Sequence, residues 1–173
     1  MLSFYRNDMK LFIFYLGGSV PGANIEVHDV QFAVARQTED AYPALAARWF
    51  GTRDSLHIDA YGVVEWADGF RVTLEKEKPA HKEKLYFINM GGYKKGDLRE
   101  EHEFAFLVAE TADQAKSKAK NTLLPDHSHR HKDNLMEVDD CIPLEQIGGF
   151  YIHLTHEEHG ESVTAEWQGY RKI

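Results

Sequence analysis

Two Glu-x-His pairs carry the residue types best suited to chemistry in this sequence, Glu26 with His28 and Glu100 with His102. Successive side chains of a strand point to opposite faces, so each Glu and His share a face with the apolar residues that follow at two-residue spacing. We therefore predict ionisable groups on the core face at a strand opening, with His28 and His102 largely buried. A buried charge without a partner is costly, so these groups must be paired, neutralised or ligand-bound.

These pairs have three possible interpretations. In the first, the Glu and His side chains form hydrogen bonds across a pseudo-twofold axis and hold two copies of a unit in register. In the second, they act in general acid/base catalysis or contact a ligand, because perturbed ionisable groups in a cleft are site candidates. In the third, they bind a metal ion. We take Glu26, His28, Glu100 and His102 as candidate catalytic residues and assign no metal ligands.

A Gly-Gly-x-x-x-Gly pattern precedes each Glu-x-His pair, and in the first copy it is formed by Gly17, Gly18 and Gly22. Glycines let backbone N–H groups approach an anion closely, as phosphate-binding loops require. The pattern is not a P-loop, because no Gly-Lys-Ser/Thr follows, and the alternative is that the glycines only permit turns. The second copy adds a compact basic group and an aromatic ring. The candidate ligand-binding residues are Gly17, Gly18, Asn24, Gly91, Gly92, Tyr93, Lys94, Lys95 and Arg99.

We assign no catalytic or metal-binding role to the other histidines and acids. Neither histidine cluster has a matching cysteine set or a helical i, i+4 pair, so we expect solvated loop histidines. Repeated acids are explained by turn and capping roles. Cys141 follows two aspartates, which raise the pKa of its thiol and make it a poor nucleophile. The histidines are His127, His129, His131, His153, His156 and His159, and the acids are Asp59, Glu65, Asp139 and Glu145.

The two site patterns belong to a longer internal repeat. Matched residues lie 74 positions apart in the first part of each copy, as Lys10 and Lys84 do. Further along, the spacing becomes 80 positions, as between Asp59 and Asp139. The additional residues fall around "PDHSHRH", a segment rich in loop-forming residues. We predict an internal duplication with a loop insertion in the second copy.

Each copy reads as strand, strand, helix, strand, strand. The runs "KLFIFYL" and "KLYFINM" are buried strands that we expect to end in a turn at Gly-Gly. A helix opens near Thr38 or Thr111 and presents an inward apolar stripe. The predicted fold class is α+β, a mostly antiparallel sheet with helices on one side and the sheets of the two copies joined or facing. The predicted units are an extension at 1–8, copy one at 10–76, copy two at 84–156 and a closing strand at 162–173, in one compact domain or two closely packed lobes.

Composition restricts the partners. A formal charge of −8 disfavours a general nucleic-acid surface, which needs clustered Lys and Arg. The longest apolar run is far shorter than the roughly 20 residues of a membrane helix. Cys141 is the single cysteine, which is typical of a reducing compartment, and we expect a cytoplasmic protein. No cofactor is predicted.

The segments "MKLFIFYLGG", "GANIEVHDV" and "WQGYRKI" resemble a bacterial family of short proteins known only as domain-of-unknown-function family 1543. The resemblance covers nearly the whole chain from Met9 onward. It implies a bacterial cytoplasmic protein, and it brings no activity or catalytic residues with it.

Three functions compete on these observations. The first is a small-ligand-binding protein, regulatory in role, for an anionic phosphate-bearing metabolite such as a nucleotide. The second is an enzyme, a hydrolase or isomerase, in which a Glu/His pair transfers a proton. The third is a structural or assembly protein whose duplicated face pairs with another copy as a homodimer. We predict the first of these.

Overall fold

The structure, a computed structural model, describes residues 8–124 and 136–173, and for residues 136–139 it describes the backbone alone. Most of the predicted extension at 1–8 and the insertion around "PDHSHRH" therefore lie outside the described residues. None of the described helices is long and apolar enough to cross a membrane. The described elements follow in the order β1 Lys10–Gly18, β2 Val27–Ala35, α1 Thr38–Arg48, β3 His57–Val63, β4 Trp66–Ala67, β5 Phe70–Glu75, β6 Lys84–Tyr93, β7 Glu100–Ala109, α2 Ala112–Thr122, β8 Met136–Leu144, β9 Gln146–Ile147, β10 Phe150–His156 and β11 Trp167–Lys172.

Both helices begin where the sequence predicts them. Thr111 precedes α2, and its hydroxyl accepts a hydrogen bond from the backbone N–H of Gln114. The Gln114 side chain in turn accepts from the Thr111 N–H, which completes a capping box and satisfies two N–H groups at the helix start. The inward stripe of α2 is formed by Ala115 and Ala119, which are fully buried.

The strands form three antiparallel sheets, in the orders β11-β3-β1-β2, β7-β6-β8 and β4-β5-β10-β9. This confirms an α+β protein with mostly antiparallel sheet. The first two sheets share one register, because Lys10 pairs with Ala35 in the first and Lys84 with Ala109 in the second. Both residues of the pair in the second sheet lie 74 positions after those of the pair in the first. The tail adds β11 to the free side of β3.

The first two sheets pack face to face with one helix outside each. Alternate residues of β1 divide between two cores: Phe14 packs with α1 on the outer face, whereas Leu11 lies in a core shared with the second sheet. In that shared core the Phe32 ring meets Phe87 edge-on, with 5.1 Å between centroids. The outer face of the second sheet packs on α2. The prediction of helices on one side therefore holds for each sheet taken singly. In the facing pair, one helix lies on each outer side.

The third sheet joins the two halves through β5 and β10. Thr73 pairs with His153, which lies 80 positions later, and Val72 pairs with Leu154 on one side of this point. The hairpin tips of the third sheet also contact the opposite half of the chain. Asp68, at the tip between β4 and β5, accepts a hydrogen bond from the N–H of Val108 at 2.9 Å. The corresponding tip at Gly148 lies against Val34.

The Gly-Gly pairs lie at or next to the ends of their strands, as predicted, but they belong to the strands and not to the turns. Gly17 and Gly18 are the last two residues of β1, paired with His28 and Val27 of β2, and β6 runs one residue beyond Gly92. The turns come later, and each is held by a backbone hydrogen bond of 3.0 Å between its first and fourth residues. Only the third glycine of each pattern, Gly22 or Gly96, has the positive φ that a turn requires.

Candidate functional site

Four ionisable side chains cluster over Gly17 at the end of the inner face of the first sheet. His28 of β2 and His57 of β3 both lie opposite Gly17 across the sheet, because β1 runs between them. A Cβ on Gly17 would lie 2.5 Å from His57 Nε2, 2.8 Å from Asp59 Oδ2 and 3.0 Å from Glu26 Oε1. The position therefore needs glycine because the cluster occupies the space above it. We call Glu26, His28, His57 and Asp59 the first cluster.

A bulge in β3 adds Asp59 to this cluster. Tyr15 pairs with Ala60 and the next residue of β1 pairs with Ile58, so Asp59 is skipped in the ladder. The second sheet has the same irregularity, and the residue skipped there is Asp139. A bulge places one additional residue on a strand and redirects side chains, which is why bulges occur beside active sites.

His57 is the buried member of the cluster, with 3% of its surface exposed. Its Nδ1 lies 2.8 Å from the backbone oxygen of Ser55, and a carbonyl oxygen only accepts, so Nδ1 carries a hydrogen. Its Nε2 lies 2.8 Å from Glu26 Oε1 and 3.2 Å from Asp59 Oδ1. A bare Nε2 lone pair facing two carboxylates would be repulsive. A hydrogen on Nε2 or on one of the carboxylates would relieve this repulsion.

His28 forms the open side of the cluster. Its Nε2 lies 3.2 Å from Asp59 Oδ2, which is within ion-pair distance. The geometry is not that of a hydrogen bond, and this buried oxygen has no hydrogen-bond donor among the described residues. The imidazole of His28 stacks flat on the Tyr15 ring, with 5.1 Å between centroids and 2° between planes. Burial, and then the Asp59 carboxylate, raise the pKa of the Tyr15 hydroxyl.

The second half repeats the Glu-x-His pair with different partners. His102 Nε2 lies 3.5 Å from Glu100 Oε2, and its Nδ1 lies 3.0 Å from the side-chain oxygen of Asn89. Asn89 occupies the position that corresponds to Tyr15, and Glu137 corresponds to His57. We call Glu100, His102 and Asn89 the second cluster.

The prediction that His28 and His102 are largely buried is wrong, although the expected polar partners are present. Their side chains are 37% and 39% exposed. The strand phase is right, since His28 shares the inner face with Phe32. However, β2 and β7 are edge strands, and both histidines lie among the first three residues of their strand, so fewer neighbours surround them.

The predicted anion-binding side chains of the second half lie on the surface, and two of them pair with neighbouring acids. Lys94 Nζ lies 2.8 Å from Glu101, and the Arg99 guanidinium lies 3.3 Å from Asp97, which raises the pKa of Arg99. Tyr93 and Lys95 are exposed beside them, and Asn24 is exposed in the first turn. The four glycines of the two Gly-Gly pairs lie in paired strands, so the basic residues and these glycines do not line one loop.

The remaining candidates are separate from the first cluster. Nε2 of His153 lies 2.8 Å from the backbone oxygen of Glu77, and His156 packs edge-on against Phe70. His127, His129 and His131 lie outside the described residues. Within the described ranges, no three His, Cys, Asp or Glu side chains are arranged to hold a metal ion. The pKa of Cys141 is raised as expected, but chiefly by burial.

A cavity of about 660 Å³ lies beside the first cluster, between the inner face of the first sheet and β7. Tyr15 belongs to both, because its ring lines the cavity and stacks on His28. Tyr170 of β11 covers the other side of the cluster, with its ring centroid 4.1 Å from that of His57. The cluster therefore lies between a cavity and a strand that only the first half carries among the described residues.

Sequence reasoning found Glu26 and His28 but missed His57 and Tyr15, and it assigned Asp59 to a turn. A usable signal was present in "LHIDA", where His57 and Asp59 stand two residues apart in a predicted strand. The same alternation that paired Glu26 with His28 also pairs these two. Neither the bulge nor the position of Tyr15 across the sheet has such a signal.

Comparisons with known proteins place the chain without giving it an activity. The family model Domain of Unknown Function (DUF1543) matches residues 23–74 and 97–153. A crystal structure of the protein Il1583 from Idiomarina loihiensis is similar, with a TM-score of 0.73 and 32% sequence identity. The similarity covers 94% of this chain and 96% of that one. The comparison with curated proteins gave no match.

Proposed function

Because the chain belongs to the family Domain of Unknown Function (DUF1543), whose name assigns no reaction, we propose a function from the site itself. The protein is an enzyme that transfers a proton on a small molecule, as a hydrolase or isomerase, and the first cluster is its active site. The observation that carries this proposal is His57, whose two ring nitrogens face a carbonyl on one side and two carboxylates on the other. In this proposal the cluster holds a proton between His57 and these carboxylates, beside the more exposed His28.

Within this site, His28 is the catalytic residue that exchanges a proton with the substrate, because it is the more exposed of the two histidines. In the tautomer with its proton on Nε2, the nitrogen available to accept a proton is Nδ1. Asp59 then stabilises the imidazolium from 3.2 Å, as a carboxylate does for a catalytic histidine. His57 and Glu26 are positioning residues. They hold the Asp59 carboxylate in place and set the net charge of the cluster.

The charge of the cluster favours this function over an anionic ligand. Two carboxylates flank Gly17, so a phosphate group at the first Gly-Gly pair would meet like charges. In the second half, Lys94 and Arg99 already face carboxylates. A phosphate-bearing ligand stays a prediction, and a thermal-shift panel of nucleotides and sugar phosphates tests it.

An activity panel of small ester, amide and enolisable carbonyl compounds tests the enzyme proposal. We expect turnover with a bell-shaped pH dependence, and Glu26→Gln and His28→Gln should each lower kcat by about 10²-fold or more, the usual size of a general acid/base contribution. Glu100→Gln and His102→Gln are the matched controls in the second cluster and should leave turnover within about twofold. Equal losses from both sets would refute the assignment to the first half.

The same proposal includes an internal duplication of the unit at 10–76 in the unit at 84–156. Its support is the matching of one family model to two regions whose starts, 23 and 97, are 74 positions apart. The pairing of Thr73 with His153 supports it further, because a twofold axis through an antiparallel ladder brings equivalent positions opposite each other. An experimental structure tests this, and Glu26 and Glu100 in non-equivalent places after superposition of the units would rule it out.

A further inference from the structure

The cavity beside the first cluster has a size suited to a small molecule. Its volume of about 660 Å³ falls within the roughly 300–1,000 Å³ typical of ligand pockets. One wall is the inner face of the first sheet, and the opposite wall is β7 with the end of α2. The segment at 162–165 closes a third side, packed so tightly on β3 that a Cβ on Gly62 would lie 2.5 Å from the oxygen of Thr164.

The cavity walls are aromatic and lack positive charge. Among the described residues that line it, none is Lys, Arg or His. Its two carboxylates already have partners, since Asp68 accepts from Val108 N–H and Lys118, and Glu103 accepts from Leu124 N–H at 2.6 Å. Its aromatic rings belong to Tyr15, Tyr61, Trp66, Phe104 and Phe106.

The Trp66 side chain, which forms part of the cavity wall, is held in place. The indole N–H donates to the backbone oxygen of Glu157 at 2.8 Å, and the ring packs against Gly160, where even a methyl group would overlap it. The polar end of the cavity is Tyr15, whose ring also stacks on His28. A molecule in the cavity therefore meets fixed aromatic surface along its body and Tyr15 at its polar end, and His28 stacks on that ring outside the lining.

We propose that this cavity binds the body of the substrate, and that the substrate is a neutral aromatic molecule with its reacting polar group directed toward Tyr15 and His28. That the occupant is the substrate rests on the function proposed above, whereas the ligand class rests on the cavity alone. An anion in the cavity would lie beside two carboxylates, and the one cation that contacts them, Lys118, is already paired with Asp68.

Fluorescence titration with two related probes tests the ligand class. N-phenyl-1-naphthylamine is neutral, and 8-anilinonaphthalene-1-sulfonate carries the same rings with one negative charge. We expect the neutral probe to bind at least about tenfold more tightly, because an unpaired charge costs more to bury than a neutral group. Equal or tighter binding of the sulfonate would overturn the proposal.

Two substitutions on opposite walls locate the site. Ala165 and Thr122 line the cavity and are exposed residues, so Ala165→Trp and Thr122→Trp fill it with little strain on the core. Each should weaken the neutral probe by about tenfold or more, since the indole occupies the space of the ligand rings. Wild-type affinity in either folded variant would contradict the proposal. In the wild-type protein, nuclear Overhauser contacts from the probe to the methyl groups of Val30 and Val163 are expected, and their absence also contradicts it.

Glu26→Gln separates this inference from the proposed enzyme function. The variant should lose turnover but bind the neutral probe within about twofold of wild type, because Glu26 lies outside the cavity lining. The probe should also inhibit turnover competitively in the wild type. Probe binding without any effect of Glu26→Gln on turnover would leave the cavity assignment standing and remove the proposed function.

Discussion

The two Glu-x-His clusters lie at corresponding positions of the two sheets and differ in what surrounds them. In the first, His28 stacks on Tyr15, and His57 joins two carboxylates beneath Tyr170. In the second, His102 is held by the Asn89 amide and Glu100. The backbone devices are the same in both, including the pairing of a glycine with the histidine and a bulge opposite the same stretch of the central strand.

Two sheets with the same register therefore carry Glu-x-His pairs with different surroundings, and the differences lie in a few residues. His57 of the first half corresponds to Glu137, so a carboxyl group stands where the first half has an imidazole. The residue under the exposed histidine changes from an aromatic ring to an amide. The closing strand β11 pairs with β3 of the first half and supplies Tyr170 there. We therefore expect the first cluster to be both more important for stability and chemically active.

The largest expected difference in stability between the halves is that between substitutions of His57 and of His102. His57→Ala should lower the free energy of unfolding by about 2–4 kcal/mol, because it leaves a void and two carboxylates without their shared donor. His102→Ala should cost less than about 1 kcal/mol, because this side chain is partly solvated. Urea denaturation of both variants measures the difference. Similar costs would show that the two clusters are equivalent.

Gly17→Ala probes the space beneath the first cluster. The added Cβ would lie 2.5 Å from His57 Nε2, and we expect a cost of about 1–3 kcal/mol, because the buried imidazole cannot move freely away. Gly22→Ala is the control, with open space around it and only the strain of a positive φ. Thermal melts give the stabilities, and the imidazole NMR signals of His57 distinguish the two variants. If only Gly22→Ala shifts those signals, the role assigned to Gly17 is wrong.

Tyr15→Asn places in the first cluster the residue that the second cluster carries. Loss of the stacked ring should cost about 1–2 kcal/mol, from buried aromatic area and ring contact. For a chain of this length, each kcal/mol lowers the melting temperature by roughly 2–4 °C, which a thermal scan resolves. Unchanged stability and unchanged His28 signals would mean that Tyr15 does not position that histidine.

The smallest expected effect is that of Lys94→Ala, at the turn that precedes the second cluster. Its ion pair with Glu101 is exposed, and such pairs contribute little, so the free energy of unfolding should change by no more than about 0.5 kcal/mol. A thermal scan checks this value. A loss above about 1 kcal/mol would indicate that the second turn has a structural role comparable to that of the first cluster.

The sequence predicted the features that depend on the period of apolar residues and on the spacing of residues along the chain. Alternation in β2 and β7 put His28 and His102 on inner faces, two residues after Glu26 and Glu100, and the Thr111 cap predicted the start of α2. Features set by three-dimensional contact were missed. Gly17 looked like a loop glycine because the side chains that require it come from β3 and from the start of β2, and only the register brings them together.

Errors of burial have a similar cause. The phase of β2 says which face His28 lies on, but not how far the opposing sheet extends over that face. Such coverage depends on the packing of whole sheets, which a single strand pattern does not contain. The bulge that adds Asp59 to the cluster is equally hidden, because "LHIDA" has the composition of a regular strand.

The position of the proton on His57 tests the account most directly, and it needs no substrate. Two-bond ¹⁵N–¹H spectra of the imidazoles should show Nδ1 of His57 carrying a hydrogen, with its Nε2 signal shifted by Glu26→Gln and unchanged by Glu100→Gln. This result follows from the Ser55 carbonyl on one side of the ring and Glu26 on the other. A His57 ring with its only hydrogen on Nε2, or equal shifts from the two Gln variants, would contradict the assignment of the proton-holding site to the first cluster.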